Sequence, residues 1–222
     1  MNNGFKLDWS YAIGAMPFLL EGIKLTIIIA VIGILIGFLI GIIVGLGRLS
    51  KSKFLFGLST VYVEIIRGTP IMVQALYIYF ALPMMLGIKV DPLVAGVTAI
   101  SINAGAYIAE IVRGAIQGVD KGQVEAGRSL GLTKFQTLYR ITWPQAFKNM
   151  IPPLGNQFII SLKDTSLLTV IGVGELTRQG TIVVSSNFRA VEVYTAVAIL
   201  YLILTLSISL GLRFIERRLD VK

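Results

Sequence analysis

The sequence predicts an all-α integral membrane protein with five transmembrane helices. Of its 222 residues, 55% are hydrophobic and only 14% are charged, and the mean hydropathy is +0.80; soluble domains have about a quarter of their residues charged. Five apolar stretches each supply roughly the twenty residues that a spanning helix needs. Lysine and arginine cluster after alternate stretches. We expect residues 1–222 to form a single transmembrane domain.

Composition also argues against several classes of function. The chain has no cysteine and no histidine, so it lacks thiolate chemistry and the commonest neutral-pH base and metal ligand. The sequence has no pattern of a nucleophile with a base or of clustered metal ligands, so we expect no catalytic residue, no metal site and no cofactor in this chain. The net charge of +8 lies beside apolar spans, as in cytoplasmic loops, so we do not expect nucleic-acid binding.

Residues 1–18 precede the first apolar stretch. They lack the basic, apolar and small-residue regions of a signal peptide, so we expect them to remain in the mature protein. Trp9 and Tyr11 lie beside Lys6 and Asp8, a mixture that favours a short interfacial helix at the external headgroups. A frayed terminus is the alternative.

The apolar stretches set the predicted orientation. Lysine and arginine follow the first, third and fifth stretches, up to Lys222, whereas the opposite loops hold only Lys89, Arg178 and Arg189. The positive-inside rule therefore places the amino terminus outside and the carboxyl terminus in the cytoplasm. The predicted spans are residues 19–46, 61–86, 92–116, 151–173 and 190–212.

The first span has a face made only of glycine. Gly33, Gly37, Gly41 and Gly45 recur at every fourth position, and small residues at this spacing let two helices approach closely in lipid. We interpret the face as a helix-packing surface, with a sliding or subunit interface as the alternative.

The second span contains two charges and a helix-breaking sequence. A charge near the centre of a spanning helix costs about 2.5 to 3.5 kcal/mol, so Glu64 and Arg67 should pair or face a polar cavity. Three positions apart, they could pair with each other. Gly68 and Pro70 should interrupt the helix, which is tolerated where the freed backbone groups meet protein or water.

Polar residues in the later spans mark candidate positions along a solute path. Asn103 lies about 16 Å from the outer end of its span, near the bilayer midplane. An interhelical hydrogen bond is a sufficient alternative role for any one of these residues, and Glu192 could instead lie at headgroup level. The residues are Ser101, Asn103 and Tyr107 in the third span, Asn156 and Asp164 in the fourth, and Glu192 in the fifth.

Residues 117–150 form a polar segment between the third and fourth spans. Residues 122–130 can form a short helix, which Gly131 lets the chain leave with φ > 0. Thr133 and Gln136 fit a capping box that starts a second helix, and Pro144 should end it. Two such short helices cannot cross a bilayer, so we expect a cytoplasmic loop that is either merely basic or a docking surface. The apolar face of the second helix comprises Phe135, Leu138 and Ile141.

One pattern in this segment is specific. The run Glu125-Ala126-Gly127 is followed by Gly131 after three residues, by Ile141 after nine more, and then by Pro144. This pattern resembles the EAA loop of bacterial ABC-importer permeases, although Ala is usual where this chain has Gly127. The resemblance implies that an ATPase subunit contacts Glu125, Ala126, Gly127, Arg128, Gly131 and Leu132.

Together, the Tyr62–Pro70 block with Gln74 after it, the loop and the five spans resemble the transmembrane subunit of ABC importers for polar amino acids, the histidine/glutamine/arginine type. The resemblance implies type I importer permease architecture in a prokaryotic inner membrane and ATP-driven alternating access. It also implies four kinds of partner: a second permease subunit in a homo- or heterodimer, two cytoplasmic ATPase subunits that bind ATP and Mg, an external substrate-binding protein, and the amino acid. The chain has no GxxxxGK[ST] loop, so hydrolysis should belong to the partner.

Substrate choice depends on the charges inside the spans. A zwitterionic amino acid needs a cation for its carboxylate and acceptors for its ammonium group. We count four acids and two bases along the proposed solute path, which favours basic amino acids; neutral or acidic amino acids and other small solutes are alternatives. The counted residues are Glu64, Arg67, Glu110, Lys163, Asp164 and Glu192. An ion-driven carrier is a rival that the docking segment disfavours. The candidate site residues are Arg67 for the carboxylate, Asp164 and Glu192 for the ammonium group or a cationic side chain, and Ser101, Asn103, Tyr107 and Asn156 to complete the site.

Overall fold

A computed structural model describes residues 6–218 of the chain, and every element in this range is helical. Residues 1–5 and 219–222 lie outside the described range, and with them the start of the 1–18 segment and Lys222. The helices are α1 (Ser10–Gly47), α2 (Lys53–Gly68), α3 (Ile71–Leu76), α4 (Leu82–Leu86), α5 (Pro92–Gln117), α6 (Lys121–Ser129), α7 (Lys134–Thr137), α8 (Trp143–Asp164), α9 (Leu176–Asn187) and α10 (Ala190–Arg218), with π-helical turns at Tyr77–Ala81 and Leu138–Thr142 and a 3₁₀ helix at Thr165–Ile171.

The predicted all-α membrane architecture is confirmed. Helices α1, α5 and α10 are long and apolar enough to cross a membrane, and they match the first, third and fifth predicted spans. The second predicted span is broken, because α2 and the following helical stretch meet at an angle of 104°. The fourth corresponds to the second half of α8 and the 3₁₀ helix, which are too polar to stand out by hydropathy. The count of five spans stays a prediction.

Residues 10–18 are the first turns of α1 and not a separate interfacial helix. They stay helical through Pro17 because they pack on the start of α10. Ala12 and Ala15 are buried in one apolar cluster with Val193 and Ala196. The contact with α10 therefore extends the first helix beyond its predicted apolar stretch.

Pro144 does not end the helix that follows the capping box, contrary to the prediction. The backbone stays helical from Lys134 to Asp164 by passing through the π-helical turn, where the N–H of Trp143 bonds to the carbonyl of Leu138. Pro144 then falls in the first turn of α8, where a missing N–H is tolerated. The last residues of the predicted 117–150 loop consequently belong to α8.

The glycine face of α1 packs against α5, which confirms the interpretation of this face as a packing surface. A Cβ atom at Gly37 would lie 3.0 Å from the backbone oxygen of Ser101, and one at Gly45 would lie 2.8 Å from that of Ala109. Backbone atoms cannot move aside as a flexible side chain can. This close contact holds α5 in place beside the break in the second span.

Helix α9 is fixed to the rest of the bundle by a buried acid. Glu175 caps α9, and its side chain is fully buried. Its carboxylate accepts the N–H groups of Thr177 at 2.8 Å and Arg178 at 2.7 Å, and the hydroxyl of Tyr201 in α10 at 3.0 Å. These donors satisfy the charge at a helix amino terminus, where a negative group is favoured.

Candidate functional site

A cleft of about 550 Å³ opens where α2 gives way to α3. Its walls come from this break, from the middle of α5 and from the second half of α8. Four predicted site residues meet here, one cation, one amide, one aromatic ring and one acid. The lining residues are Arg67, Gly68, Thr69, Pro70, Ile71, Asn103, Tyr107, Gln157, Ile160 and Asp164.

The break that forms the cleft follows directly from the local sequence. Thr69 is extended, with φ −119° and ψ 142°, because a residue before proline is pushed out of the helical region. Pro70 is also extended, with φ −64° and ψ 137°, and α3 begins after it. The predicted interruption at Gly68 and Pro70 is therefore present, and the residues of the break, Gly68 to Ile71, line the cleft.

Arg67 is held between a ring and a carboxylate. Its guanidinium carbon lies 5.2 Å from the centre of the Tyr107 ring, a cation–π contact, and its Nη1 lies 3.9 Å from Glu110. It does not pair with Glu64, which is exposed. Glu110 also bonds Arg48 and, at 2.8 Å, Arg113. The single negative charge of Glu110 is thus shared among three guanidinium groups. It cannot neutralise all three, so the positive charge of Arg67 remains available to a ligand.

Asp164 ends α8 and is the only acid among the residues that line the cleft. It makes no ion pair within residues 6–218, and the neighbouring Lys163 is exposed. Adjacent positions on a helix face different directions, which explains why Lys163 and Asp164 form no ion pair. The cleft therefore holds one cation and one anion.

Three predicted site residues lie elsewhere. Ser101 is buried, and its hydroxyl donates to the carbonyl of Val97 at 2.7 Å. Asn156 lines a shallow pocket between α8 and α10. Glu192 is fully buried at the start of α10, where it accepts the N–H of Asp8 at 3.1 Å and lies 3.6 Å from Arg189. The structure does not bring these three side chains to the cleft.

Helical phase explains which residues line the cleft. Successive residues of a helix are about 100° apart, so Ser101 faces away from Asn103, and Asn156 faces away from Gln157. Ile160 and Gln157, four and seven positions before Asp164, share its face and line the cleft. Sequence reasoning missed both, although their spacing from Asp164 would have identified them.

The α6–α7 segment has the local structure that its sequence predicts. Gly131 has φ +83°, which allows the chain to leave α6. The capping box is present: the Thr133 hydroxyl accepts the Gln136 N–H at 3.2 Å, and the Gln136 side chain accepts the Thr133 N–H at 2.8 Å. The turn and the start of α7 are thus fixed by nearby residues alone.

Two of the predicted coupling residues support the segment from inside. Gly127 is buried, and a Cβ atom there would collide with Ile141 and would lie 3.6 Å from Leu132. The small residue therefore lets α6 pack closely on the π-helical turn. Arg128 donates to the carbonyl of Leu132 at 2.8 Å and so closes the turn. Glu125 and Ala126 are exposed.

Large apolar side chains project from this segment into solvent. Leu130 is 82% exposed, Phe135 75% and Tyr139 67%. The rings of Phe135 and Tyr139 lie parallel with their centres 6.5 Å apart. Phe135 therefore does not pack inward with Ile141, as its helical spacing had predicted. Exposed apolar groups in a polar segment are typical of protein-interaction surfaces, and the four-residue spacing of the two rings is the signal that would have indicated this exposed pair.

Known proteins match nearly the whole chain. Residues 33–221 match the family described as binding-protein-dependent transport system inner membrane component. The glutamine transport system permease protein GlnP of Escherichia coli is 49% identical over 217 residues, covering 97% of this chain and 99% of that protein. The arginine transport system permease protein ArtQ of Bacillus subtilis is 34% identical over 96% of this chain and 97% of its own. A solved chain from an amino acid ABC transporter crystallised with histidines superposes with a TM-score of 0.92 at 39% identity, covering 96% of this chain and 100% of that one.

Proposed function

This chain belongs to the family of binding-protein-dependent transport system inner membrane components, and we propose that it carries polar amino acids across the prokaryotic inner membrane by ATP-driven alternating access. It is a permease subunit of an amino-acid ABC importer, and such subunits have no ATPase site of their own. ATP and Mg²⁺ are accordingly bound by the partner ATPase subunits. One observation supports the proposal above the others: Arg67, Asn103, Tyr107 and Asp164 line one cleft at a helix break.

The charges in the cleft favour a zwitterion with a neutral polar side chain. Arg67 can bind the α-carboxylate through paired N–H donors, and Asp164 can accept from the ammonium group. The excess of acids that favoured basic substrates is not in the cleft, because Glu110 lies among arginines and Glu192 lies beside Arg189. Glutamine, named for the 49% identical relative, has this chemistry.

A basic amino acid is the second candidate. Asp164 makes no ion pair within residues 6–218, so its carboxylate can accept hydrogen bonds from the cationic side chain of the substrate. The α-ammonium group would then bind to acceptors near Asn103. Arginine and histidine appear in the names of the other two relatives. The two candidates differ in which group of the ligand Asp164 contacts.

The ATPase subunit docks on one exposed surface in this proposal and through it couples ATP hydrolysis to transport. This surface comprises Leu130, Phe135, Tyr139 and the exposed part of α6. The helical backbone runs from Lys134 to Asp164 without a break, a distance of about 45 Å at 1.5 Å per residue. A displacement of the docked segment is therefore transmitted along a continuous helix to the acid in the cleft. The proposal includes a second permease subunit, an external binding protein, an external amino terminus and a cytoplasmic carboxyl terminus.

Reconstitution tests the proposal. This chain would be purified with its ATPase subunits, placed in vesicles, and supplied with purified binding protein and single labelled amino acids. We expect uptake that requires ATP and prefers glutamine, with arginine, lysine and histidine as the second group. Uptake that survives ATP depletion and collapses with the ion gradient would establish an ion-driven carrier instead. Preference for a peptide or an osmolyte would exclude amino acids as the substrate class.

A further inference from the structure

Gln74 occupies the break between α2 and α3. The last carbonyl groups of a helix have no partner within it, and Pro70 offers no N–H to them. The amide nitrogen of Gln74 lies 2.8 Å from the carbonyl oxygen of Ile66, 3.0 Å from that of Thr69 and 3.0 Å from the Thr69 hydroxyl. Gln74 is only 9% exposed. Its amide therefore satisfies the backbone groups that the break leaves free.

This arrangement fixes which way the Gln74 amide faces. Its nitrogen must point at the two carbonyl oxygens, because the amide oxygen has no hydrogen to offer them. The Thr69 hydroxyl donates to the carbonyl of Ile65 at 2.9 Å, so it acts toward Gln74 as an acceptor. A flipped Gln74 would oppose oxygen to oxygen at each of these contacts. Gln74 Oε1 is consequently held toward α5.

The fixed Gln74 amide in turn fixes the orientation of the Asn103 side-chain amide. The Nδ2 of Asn103 donates to Gln74 Oε1 at 3.1 Å in a buried hydrogen bond, so the Asn103 amide cannot flip without placing two oxygens together. Asn103 lines the cleft. Its Nδ2 donates to Gln74, whereas its Oδ1 has no donor among the described residues and is not fully buried. The polar atom of Asn103 that remains without a protein partner is therefore an acceptor.

We infer that Gln74 is a positioning residue for the substrate: it holds Asn103 as a hydrogen-bond acceptor, and this acceptor binds the α-ammonium group of the amino acid. The inference rests on the proposed function of the cleft. With Asn103 flipped, an NH₂ donor would meet the ammonium group and repel it. Gln74 thus links the helix break to substrate recognition: it bonds both the backbone of the break and Asn103, and it does not contact the ligand itself.

A double-mutant cycle tests the inference on the purified complex of this chain with its ATPase subunits, by equilibrium binding of labelled L-glutamine. A hydrogen bond to a charged group contributes about 10- to 100-fold in affinity, so Asn103→Ala should weaken binding by that factor. We expect Gln74→Met to weaken it by about tenfold. The double variant should bind no more weakly than Asn103→Ala alone, because Gln74 acts through Asn103.

A second ligand separates positioning from a structural role. Glutamine without its α-ammonium group, 5-amino-5-oxopentanoic acid, offers Asn103 no ammonium, so neither single variant should change its affinity by more than about twofold. Gln179→Met is the matched control, since Gln179 also donates to a backbone carbonyl, that of Gly174 at 3.3 Å, but lies in α9 and does not line the cleft. It should leave glutamine binding unchanged.

A second variant serves if Gln74→Met does not fold. The side chain of Gln74→Asn is too short to reach both the carbonyls and Asn103, so this variant should show the same ligand dependence.

The outcomes distinguish the inference from the function on which it rests. Two outcomes would show that Gln74 only supports the fold. One is that the losses of affinity of the two single variants multiply in the double variant; the other is that Gln74→Met weakens binding of the ligand without the ammonium group as much as binding of glutamine. Normal glutamine binding by Gln74→Met and Gln74→Asn would overturn the inference directly. If the unmodified complex binds none of the twenty amino acids, the proposed function itself fails and the inference fails with it.

Discussion

The cleft and the α6–α7 segment differ in the side chains that they present at the surface: polar and charged groups in the cleft, large apolar groups in the segment. In the cleft, polar groups are held in position by the rest of the chain: Arg67 by Tyr107 and Glu110, and Asn103 by Gln74. In the α6–α7 segment the polar groups bond to one another, and Leu130 and Phe135 remain exposed. A small hydrated solute is recognised by pre-oriented polar groups, whereas a protein partner is held by apolar surface removed from water.

The strongest test of the cleft is Arg67→Gln. Arg67 is the only cation among the lining residues, and losing one partner of a hydrogen-bonded charge pair costs about 2 to 5 kcal/mol. We expect uptake at low substrate concentration to fall about 100-fold, with ATPase association unchanged. Arg113→Gln is the matched control, because Arg113 also bonds Glu110 but does not line the cleft. An equal loss in both variants would assign the effect to the Glu110 cluster and remove Arg67 from the site.

The strongest test of the α6–α7 segment is Phe135→Ser combined with Leu130→Ser. Truncating a central apolar contact of an interface costs about 2 kcal/mol or more, so the affinity for the ATPase subunits should fall about 30-fold or more. Glutamine binding in the cleft should not change. Phe147→Ser is the control, since Phe147 is also exposed, at 45%, but lies on α8. Unaltered affinity for the ATPase in the double variant would refute the docking surface.

Asp164→Asn and Glu192→Gln together separate residues in the cleft from those outside it. Asp164→Asn should weaken amino-acid uptake about tenfold, and basic amino acids more than neutral ones, because an ion pair becomes a neutral hydrogen bond. Glu192→Gln should change selectivity by less than about twofold, since Glu192 is buried beside Arg189 and Asp8. Uptake of labelled glutamine and arginine measures both effects. A larger selectivity change in Glu192→Gln would restore that residue to the substrate site.

The smallest expected effect is that of Gly131→Ala. At φ +83° a side chain costs about 1 to 2 kcal/mol, so the turn should loosen and ATP-coupled uptake should fall a few-fold. Gly114→Ala is the control, because a Cβ atom at Gly114 would meet open space in an ordinary helix. Thermal unfolding of the purified chain and the ratio of solute moved to ATP hydrolysed give the measurement. Normal coupling in Gly131→Ala would show that the turn is dispensable.

Local features were predictable because their causes lie within a few residues. The extended backbone at Thr69 follows from Pro70, and the capping box needs only Thr133 and Gln136. The glycine face of α1 was also predictable, since helical spacing alone places these residues in line. Pro144 was misinterpreted, because one π-helical turn moved it to a position where its missing N–H is tolerated.

The sequence by itself determined the membrane class, the helix break, the turn at Gly131 and the capped start of α7, because sterics and hydropathy act over short stretches of chain. Only the tertiary structure decided which polar side chains meet. Glu192 and Asp164 are both acids in predicted spans, yet only Asp164 lines the cleft. The reason is physical: a side chain's direction depends on the rotation and packing of its helix, and the partners of Arg67 and Asn103 come from residues 29 to 43 positions away in the chain.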